Sequence, residues 1–335
     1  MTDLLDRLSE EDRAAVRRAR SPQWATPMLA TLTDERFSDP DWIFERKLDG
    51  ERCIGFRKGR QVRFLTRNRK DASSTYPEIV EALGGQGATD FVVDGEVVAF
   101  EGKQTSFARL QRRMQLRDPE AARRAGISVF YYVFDLLHWA GHDLTQVRLR
   151  ARKALLRQAL DFTDPLRFMA HRSKEGEPYY EEACRKGWEG LIAKRASAPY
   201  ARKRSRDWLK FKCVRDQELV IGGFTDPQGS RPGFGALLVG YYEGDDLVYA
   251  GKVGTGYTEE TLKDLRREMQ GLERRKPPFG RRVRDLPRRE VHWLEPELVA
   301  LIAFTEWTTD GRLRHPRYQG LRRDKKARDV VREQA

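Results

Sequence analysis

The chain has 335 residues, 39% hydrophobic and 34% charged, a balance that excludes a disordered polymer and allows two folded domains with cores of ordinary size. No run of about 18 apolar residues occurs, so no membrane-spanning helix is expected, and the mixed acids and bases of residues 1–20 read as a short helix and not a secretion signal. The net charge is +13, with 42 Lys and Arg against 31 Asp and Glu in residues 1–215 and 22 against 20 in residues 216–335, which points to a polyanionic partner for the first two thirds.

In chain order, residues 21–40 are rich in Pro and Thr and read as loop. A short strand over 42–46 ends at Lys47, Asp49-Gly50 signals a turn, and 52–56 resumes as strand. Residues 61–66 alternate as a further strand. Residues 91–100 read as two apolar runs of a hairpin broken by Asp94-Gly95, and 127–137 as a long buried strand. Helical patterns lie at 76–83, 106–116, 150–159 and 181–186, and short strands at 191–194 and 208–212. The mixture predicts an α+β domain with mainly antiparallel sheets over residues 1–214. From 215 to 335 the expected elements are strands at 218–224, 236–242, 246–253, 291–293 and 298–307, a helix over 258–275 capped by Thr258, and a Pro/Arg loop at 277–289. Five short strands and one helix suit a small OB-type barrel. Cys53, Cys184 and Cys213 form no C-x-x-C pair, so three reduced thiols are expected and no zinc site.

The densest chemical signal is Glu45-Arg46-Lys47-Leu48-Asp49-Gly50-Glu51-Arg52. It reads either as a hairpin with solvated charges or as a lysine nucleophile presented to a pocket. A lysine attacks only as the free amine, and its ordinary pKa near 10.4 requires cations or a metal nearby to lower it. Trp208-Leu209-Lys210-Phe211-Lys212 sets two lysines and Trp208 on one strand face, because side chains alternate; a solvated edge strand is the alternative. Arg202, Lys203, Arg204 and Arg206 form a basic loop before it. Glu96 and Glu189 stand at the edges of apolar runs, either as turn acids or as oxygen ligands for a hard divalent cation. Phe134 ends the long strand, as core or as a stacking surface. His138 and His142 are read as non-metal residues. The basic C-terminal stretch around Arg322, Asp324 and Lys325 is either a solvated tail or a phosphate-handling loop.

Taken together and in order, these motifs resemble the ATP-dependent DNA ligases of the covalent nucleotidyltransferase superfamily, and most of all the ligase domain of the bacterial end-joining ligase D group. The resemblance runs from about residue 28 to 331. It implies a nucleotidyltransferase (adenylation) domain, followed by an OB-fold domain. It implies that Lys47 carries AMP and that Asp49 and Arg52 belong to the same motif. Thr66-Arg67-Asn68 looks like the next motif, with Arg67 contacting the nucleotide or the 5′-phosphate. Glu96 would serve ribose or metal, Phe134 would stack on adenine, and Glu189 would bind metal with Lys194 at the end of its motif. Arg204, Lys210 and Lys212 would surround the α-phosphate, and Arg322, Asp324 and Lys325 would orient the leaving pyrophosphate from the second domain.

The same resemblance implies ATP and Mg²⁺ or Mn²⁺ as cofactors and nicked double-stranded DNA as partner, with a DNA-end-binding protein as a further partner. It implies a cytoplasmic, nucleoid-associated monomer with no membrane attachment, and a second domain that swings about a hinge at 213–216. With no large DNA-binding domain ahead of Lys47, a minimal nick sealer is expected. An RNA ligase or a GTP-using capping enzyme shares the lysine chemistry. A non-catalytic OB protein would explain the base but not Lys47, Glu96, Glu189 and the paired lysines together.

Overall fold

Lys47 and Arg52 stand five residues apart but belong to different sheets. Strand β2 (Trp42–Lys47) follows β1 (Leu29–Leu32), and β3 (Glu51–Lys58) pairs not with β2 but with β4 (Gln61–Thr66) and β5 (Asp90–Glu101). The segment Leu48-Asp49-Gly50 is therefore a crossover between sheets, and the hairpin reading of this stretch is wrong. Gly50 makes the crossover possible: a Cβ there would lie 2.2 Å from Val97 O and 2.9 Å from Glu96 Cγ, so only a residue without one lets the backbone pass this close.

The computed structural model describes residues 4–213, 215–227, 232–280 and 291–333. The chain divides into two compact units after Cys213. Residue 214, inside the expected hinge, and residues 281–290, most of the expected Pro/Arg loop, lie outside the described residues.

In the first unit one sheet takes β4, β3, β5 and β6 (Val129–Trp139) in that order, with β7 (Leu166–Phe168) added parallel to β6. The second sheet has the order β8 (His171–Ser173), β2, β9 (Gly190–Arg195), β10 (Arg204–Lys212), β1. Only the β10–β1 contact in this sheet is parallel. The chain over 29–32, expected as loop, is thus an edge strand. One face of the first sheet (Cys53, Phe64, Val93, Val97, Tyr131, Val133) is sealed by helices α2 (Pro77–Gly84), α3 (Phe107–Met114) and α5 (Leu149–Ala159). The other face (Ile54, Phe56, Val92, Val98, Phe134) meets Trp208, Tyr200 and Met28 in a second cluster. The outer face of the second sheet buries Phe44, Leu191 and Phe211 against Tyr179 and Ala183 of α6 (Gly176–Arg185). Two of these helices start at polar side-chain caps: Ser106 Oγ accepts from Arg109 N at 3.2 Å, and Asp118 accepts from Ala121 N at the start of the unexpected α4 (Pro119–Arg124).

Two readings fail here for identifiable reasons. Asp94-Gly95 is not a turn: β5 runs unbroken through it. Asp94 is fully buried but receives Arg52, and Gly95 leaves room for the Tyr131 ring, which a Cβ would approach to 2.5 Å. The thiols are not three free groups. Cys184, on the last turn of α6, is disulfide-bonded to Cys213, just past β10, and Cys53 is buried. The chain from α6 to β9 returns to the end of β10, where Cys213 N donates to Glu189 O at 3.0 Å; nothing in cysteine spacing shows that closure.

In the second unit, β11 (Asp216–Thr225) pairs with β12 (Leu237–Glu243), β14 (Val291–Leu294) and β15 (Val299–Ala303); β12 pairs with β13 (Asp246–Val253), and β15 with β16 (Arg317–Leu321). Helix α7 (Glu259–Met269) starts at the Thr258 cap as expected and buries Leu262, Leu265 and Met269, but ends earlier than its charge pattern suggested. The expected closed barrel is not formed by continuous ladders among the described residues: the chain just past β13 touches β16 at the isolated bridge Thr255↔Arg317. Arg317–Leu321 is a paired strand, not part of a solvated tail.

Candidate active site

The register of the second sheet builds the site. Gly190 of β9 lies between Lys47 of β2 and Lys212 of β10, and Ile192 lies between Glu45 and Lys210. Directly paired residues share a face, and so do residues two apart on one strand. Lys47, Glu45, Lys194, Trp208, Lys210 and Lys212 therefore occupy one face, turned toward the first sheet. Gly190 sits at the centre of the row with φ +144°, and a Cβ on it would fall 1.9 Å from Phe211 O.

Lys47 Nζ donates to Glu189 Oε1, with the two side chains 19% and 16% exposed. The other oxygen, Glu189 Oε2, is buried without a hydrogen-bond partner, as is Trp208 Nε1. Buried polar atoms of this kind call for a partner that a bound molecule can supply. Lys212 is buried, and Lys210 and Asp49 are half-buried. From the first sheet, Glu96 stands opposite Arg52 on β3 and Tyr132 on β6. Arg67 sits beside them, its backbone N–H donating to Arg52 O at 3.0 Å.

Arg52 grips Asp94 with Nε at 2.5 Å and an Nη at 2.6 Å, and Tyr200 adds its hydroxyl to the same carboxylate. Burial alone would lower the Arg52 pKa, but Asp94 outweighs it and holds the group firmly charged. Arg52→Ala would leave Asp94 buried, with the Tyr200 hydroxyl still donating to it. We expect a loss of about 3–5 kcal/mol in stability, measured by denaturant unfolding. Arg52→Lys should recover only part of it, because an ammonium cannot reproduce the two-pronged grip.

Phe134 occupies a bulge in β6: Asp135 pairs with Asp94 and Val133 with Gly95, which leaves Phe134 unpaired between them. Its ring is 6% exposed and meets the Arg52 guanidinium at 4.4 Å, Lys194 Nζ at 4.1 Å and the Trp208 ring at 6.0 Å. A base stacking on Phe134 must displace one of those cations.

Beneath this aromatic pair lies a charge cluster of which the motif reading gave a role to Lys194 alone. Glu45 is buried between Lys153 of α5 and Lys194, whose Nζ is 2.6 Å away. Burial pushes the Glu45 carboxyl up, but the two lysines outweigh it and hold it below the usual range. Burial, opposed by Glu45, brings Lys194 down to about 8. Beside them the fully buried Asp135 and Arg152 pair through two hydrogen bonds of 2.7 and 2.9 Å. Glu45 could have been found from sequence, since it alternates with Lys47; Asp94, Asp135 and Lys153 needed the register.

Arg204 does not join this group. It starts β10, level with Leu29, is exposed, and donates to Ala30 O. β10 bulges between Ser205 and Leu209, so Arg204 and Lys210 pair with residues only three apart on β1, Leu29 and Leu32, about 10 Å at ~3.3 Å per residue, and Arg204 is set apart by its side chain, which turns to Ala30 O. In the second unit Arg322 and Asp324 form a two-pronged pair at 2.9 Å for each contact, and Lys325 Nζ lies 3.1 Å from Glu218. Burial pushes the Asp324 carboxyl up, yet Arg322 and Lys325 bring it below the usual range.

The chain is similar to known proteins. A family model described as "ATP dependent DNA ligase domain" matches residues 27–212, and one described as "ATP dependent DNA ligase C terminal region" matches residues 230–325. The chain is 36% identical over 316 residues to "Multifunctional non-homologous end joining protein LigD" of Pseudomonas aeruginosa, covering 92% of this chain and 37% of that protein. It is 33% identical over 311 residues to "Multifunctional non-homologous end joining DNA repair protein LigD" of Mycobacterium tuberculosis H37Rv, covering 92% and 40%. The solved structure "mycobacterial DNA ligase D complexed with ATP and MES" matches with a TM-score of 0.66 at 32% identity, over 92% of this chain and 98% of that one. The first unit thus has the fold of a ligase nucleotidyltransferase domain, and the second is the ligase C-terminal region. The chain belongs to the ATP-dependent DNA ligase family. It spans about two fifths of the length of the curated LigD relatives it matches.

Proposed function

We propose that the chain seals DNA nicks bearing a 3′-hydroxyl and a 5′-phosphate, using ATP and carrying AMP on Lys47. The observation that supports this best is the single row Lys47–Gly190–Lys212, with Glu189 bonded to Lys47 and Lys210 on the same face.

In the first step the neutral Lys47 amine attacks the α-phosphorus of ATP. A P–N bond forms, the bond to the bridging oxygen breaks, and pyrophosphate leaves. The proton that Lys47 gives up lies on its hydrogen bond to Glu189. Lys210 and Lys212 stand where they can neutralise charge on the α-phosphate oxygens. In the second step a DNA 5′-phosphate oxygen attacks the same phosphorus and the P–N bond breaks. In the third, the 3′-hydroxyl attacks the activated 5′-phosphate, forming the phosphodiester and releasing AMP. Phe134 would stack on adenine, with Arg52, Arg67, Glu96 and Lys194 around the nucleoside. Asp49 would act beside Lys47.

A divalent cation, Mg²⁺ or Mn²⁺, suits the donors present, because Glu189 offers a buried carboxylate oxygen without a partner and Glu96 a second carboxylate. When bound it would supply charge neutralisation at the phosphate oxygens. Among the described residues no group of three or more His, Cys, Asp or Glu could hold a metal by itself. That suits a cation held by one or two carboxylates and the substrate's phosphates.

Arg322, Asp324 and Lys325 would orient pyrophosphate from the second unit, which would swing between steps about the linker at 213–216. The relatives' names support a place in DNA end joining or repair; in this reading a DNA-end-binding protein would recruit the chain, which would act as a monomer at the nucleoid. No helix among the described residues is long and apolar enough to cross a membrane.

The test is incubation with a nicked duplex, ATP and either metal. Joined product that disappears with chelator is expected; no joining with either metal refutes the reading. Arg322→Ala should slow self-adenylylation at least tenfold more than sealing of a pre-adenylylated nick. Equal loss in both assays removes the leaving-group role.

A further inference from the structure

We infer that Lys153 is a positioning residue for the nucleotide pocket, acting through Glu45 on Lys194 and so on the Phe134–Trp208 pair. The inference deepens the proposed ATP site and rests on that reading.

Lys153 lies on α5, outside every motif that carries the family likeness. Its ammonium is buried yet makes three directed contacts: it donates to Glu45 Oε1, to Met169 O at 3.0 Å and to Phe134 O at 3.5 Å. The last of these reaches the backbone of the aromatic residue itself. Glu45 divides its carboxylate between two lysines, Oε1 to Lys153 and Oε2 to Lys194. Lys194 Nζ then stands 4.1 Å from the Phe134 ring centroid and 4.0 Å from that of Trp208. The route is short and wholly buried: α5 to β2, β2 to β9, β9 to the aromatic pair.

A lysine is a costly way to fill a core. Burying an ammonium loses several kcal/mol of hydration unless its hydrogen bonds are made, and a methionine would fill the volume more cheaply. The directed donors are what Lys153 adds. With Lys153 in place, each Glu45 oxygen has its own cation and the carboxylate plane is fixed. Without it, Oε1 loses its partner on a carboxylate whose side chain is only 3% exposed. The carboxylate then turns toward Lys194 and draws Nζ off the rings. Because a base can stack on Phe134 only after Lys194 or Arg52 yields, the position of Lys194 governs how readily the pocket opens.

The other charged groups around Lys194 leave this role to Lys153. Asp135 acts on Lys194 from β6 but is itself bonded by Arg152. Arg52 touches the same two rings from β3 and is held by Asp94. His171, on β8 opposite Glu45, carries no hydrogen bond to the cluster. Lys153 is thus the cation whose removal frees Glu45 without breaking another buried pair.

The test uses the full chain and α-labelled ATP. Lys153→Met should raise the ATP KM for self-adenylylation about tenfold and leave the maximal rate within about threefold. Lys153→Arg, which can still donate to Glu45 and Met169 O, should restore KM to within about twofold. Glu45→Gln should raise KM as well, and the double variant should lose no more than the worse single one, since both cut the same link. A merely structural Lys153 would lower the melting temperature and the active fraction with KM unchanged; that result, or full additivity, overturns the inference. Should Lys153→Met fail to fold, Lys153→Gln keeps two neutral donors and the same KM readout decides. Labelling of the wild-type chain is the control: its absence would overturn the ATP reading and, with it, the inference that rests on it, whereas wild-type labelling with an unchanged KM in Lys153→Met overturns the inference alone.

Discussion

Lys47→Ala is expected to abolish the transfer of label from α-labelled ATP to protein. The substitution removes the only atom to which AMP is bound in the proposed first step, so the loss is a matter of stoichiometry and no neighbouring lysine can share it. Lys210 and Lys212 sit on the same face but one strand further away, with Gly190 between. The variant should nevertheless join a nick that already carries AMP on its 5′-phosphate, because the third step forms and breaks no bond to Lys47. Its rate there should fall far less than in the complete reaction. Little structural damage is expected. Lys47 ends β2 half-exposed, and the freed Glu189 carboxylate is 16% exposed, so water can solvate it. Continued labelling of the variant, checked by denaturing gel, would move the nucleophile elsewhere.

What could be read in the chain beforehand depends on how local the cause is. Strand β4 and strand β13 fall on the residues their alternation marks, and α7 begins at Thr258, because patterning and capping act within a few neighbours. The paired lysines on β10 also follow from alternation alone. The crossover at Gly50, by contrast, has the sequence of a tight turn, and only the close approach of Val97 O distinguishes it. Asp94-Gly95 misleads for the opposite reason. A buried carboxylate inside a strand is expensive unless a cation reaches it, and Arg52 arrives from a strand 42 residues earlier. The same holds for Glu45 with Lys153, 108 residues apart. Polar groups whose partners are distant look like surface or turn residues until register is known. Arg204 shares a strand with Lys210 and Lys212, but a bulge between Ser205 and Leu209 breaks the alternation between them, and its side chain turns to Ala30 O.

Gly190→Ala should be the most damaging small substitution in the first unit. Two penalties combine at this residue. Its φ of +144° lies where a side chain is strained, and the new Cβ would sit 1.9 Å from Phe211 O, a backbone atom that cannot rotate away. Relief requires β9 and β10 to separate at Gly190↔Lys212, the pair on which the row of site residues depends. We expect a cost of about 3 kcal/mol or more, seen as a lowered unfolding midpoint. Self-adenylylation should fall beyond what the loss of folded protein explains, since Lys47 and Lys212 would no longer be held at one strand spacing from Gly190. A variant at Gly87, where a Cβ would meet nothing within 4 Å, gives the comparison: Gly87→Ala should leave both the midpoint and the labelling near those of the parent. If Gly190→Ala matched it, the strand pairing at the centre of the site would not be what holds Lys47 and Lys212 in line.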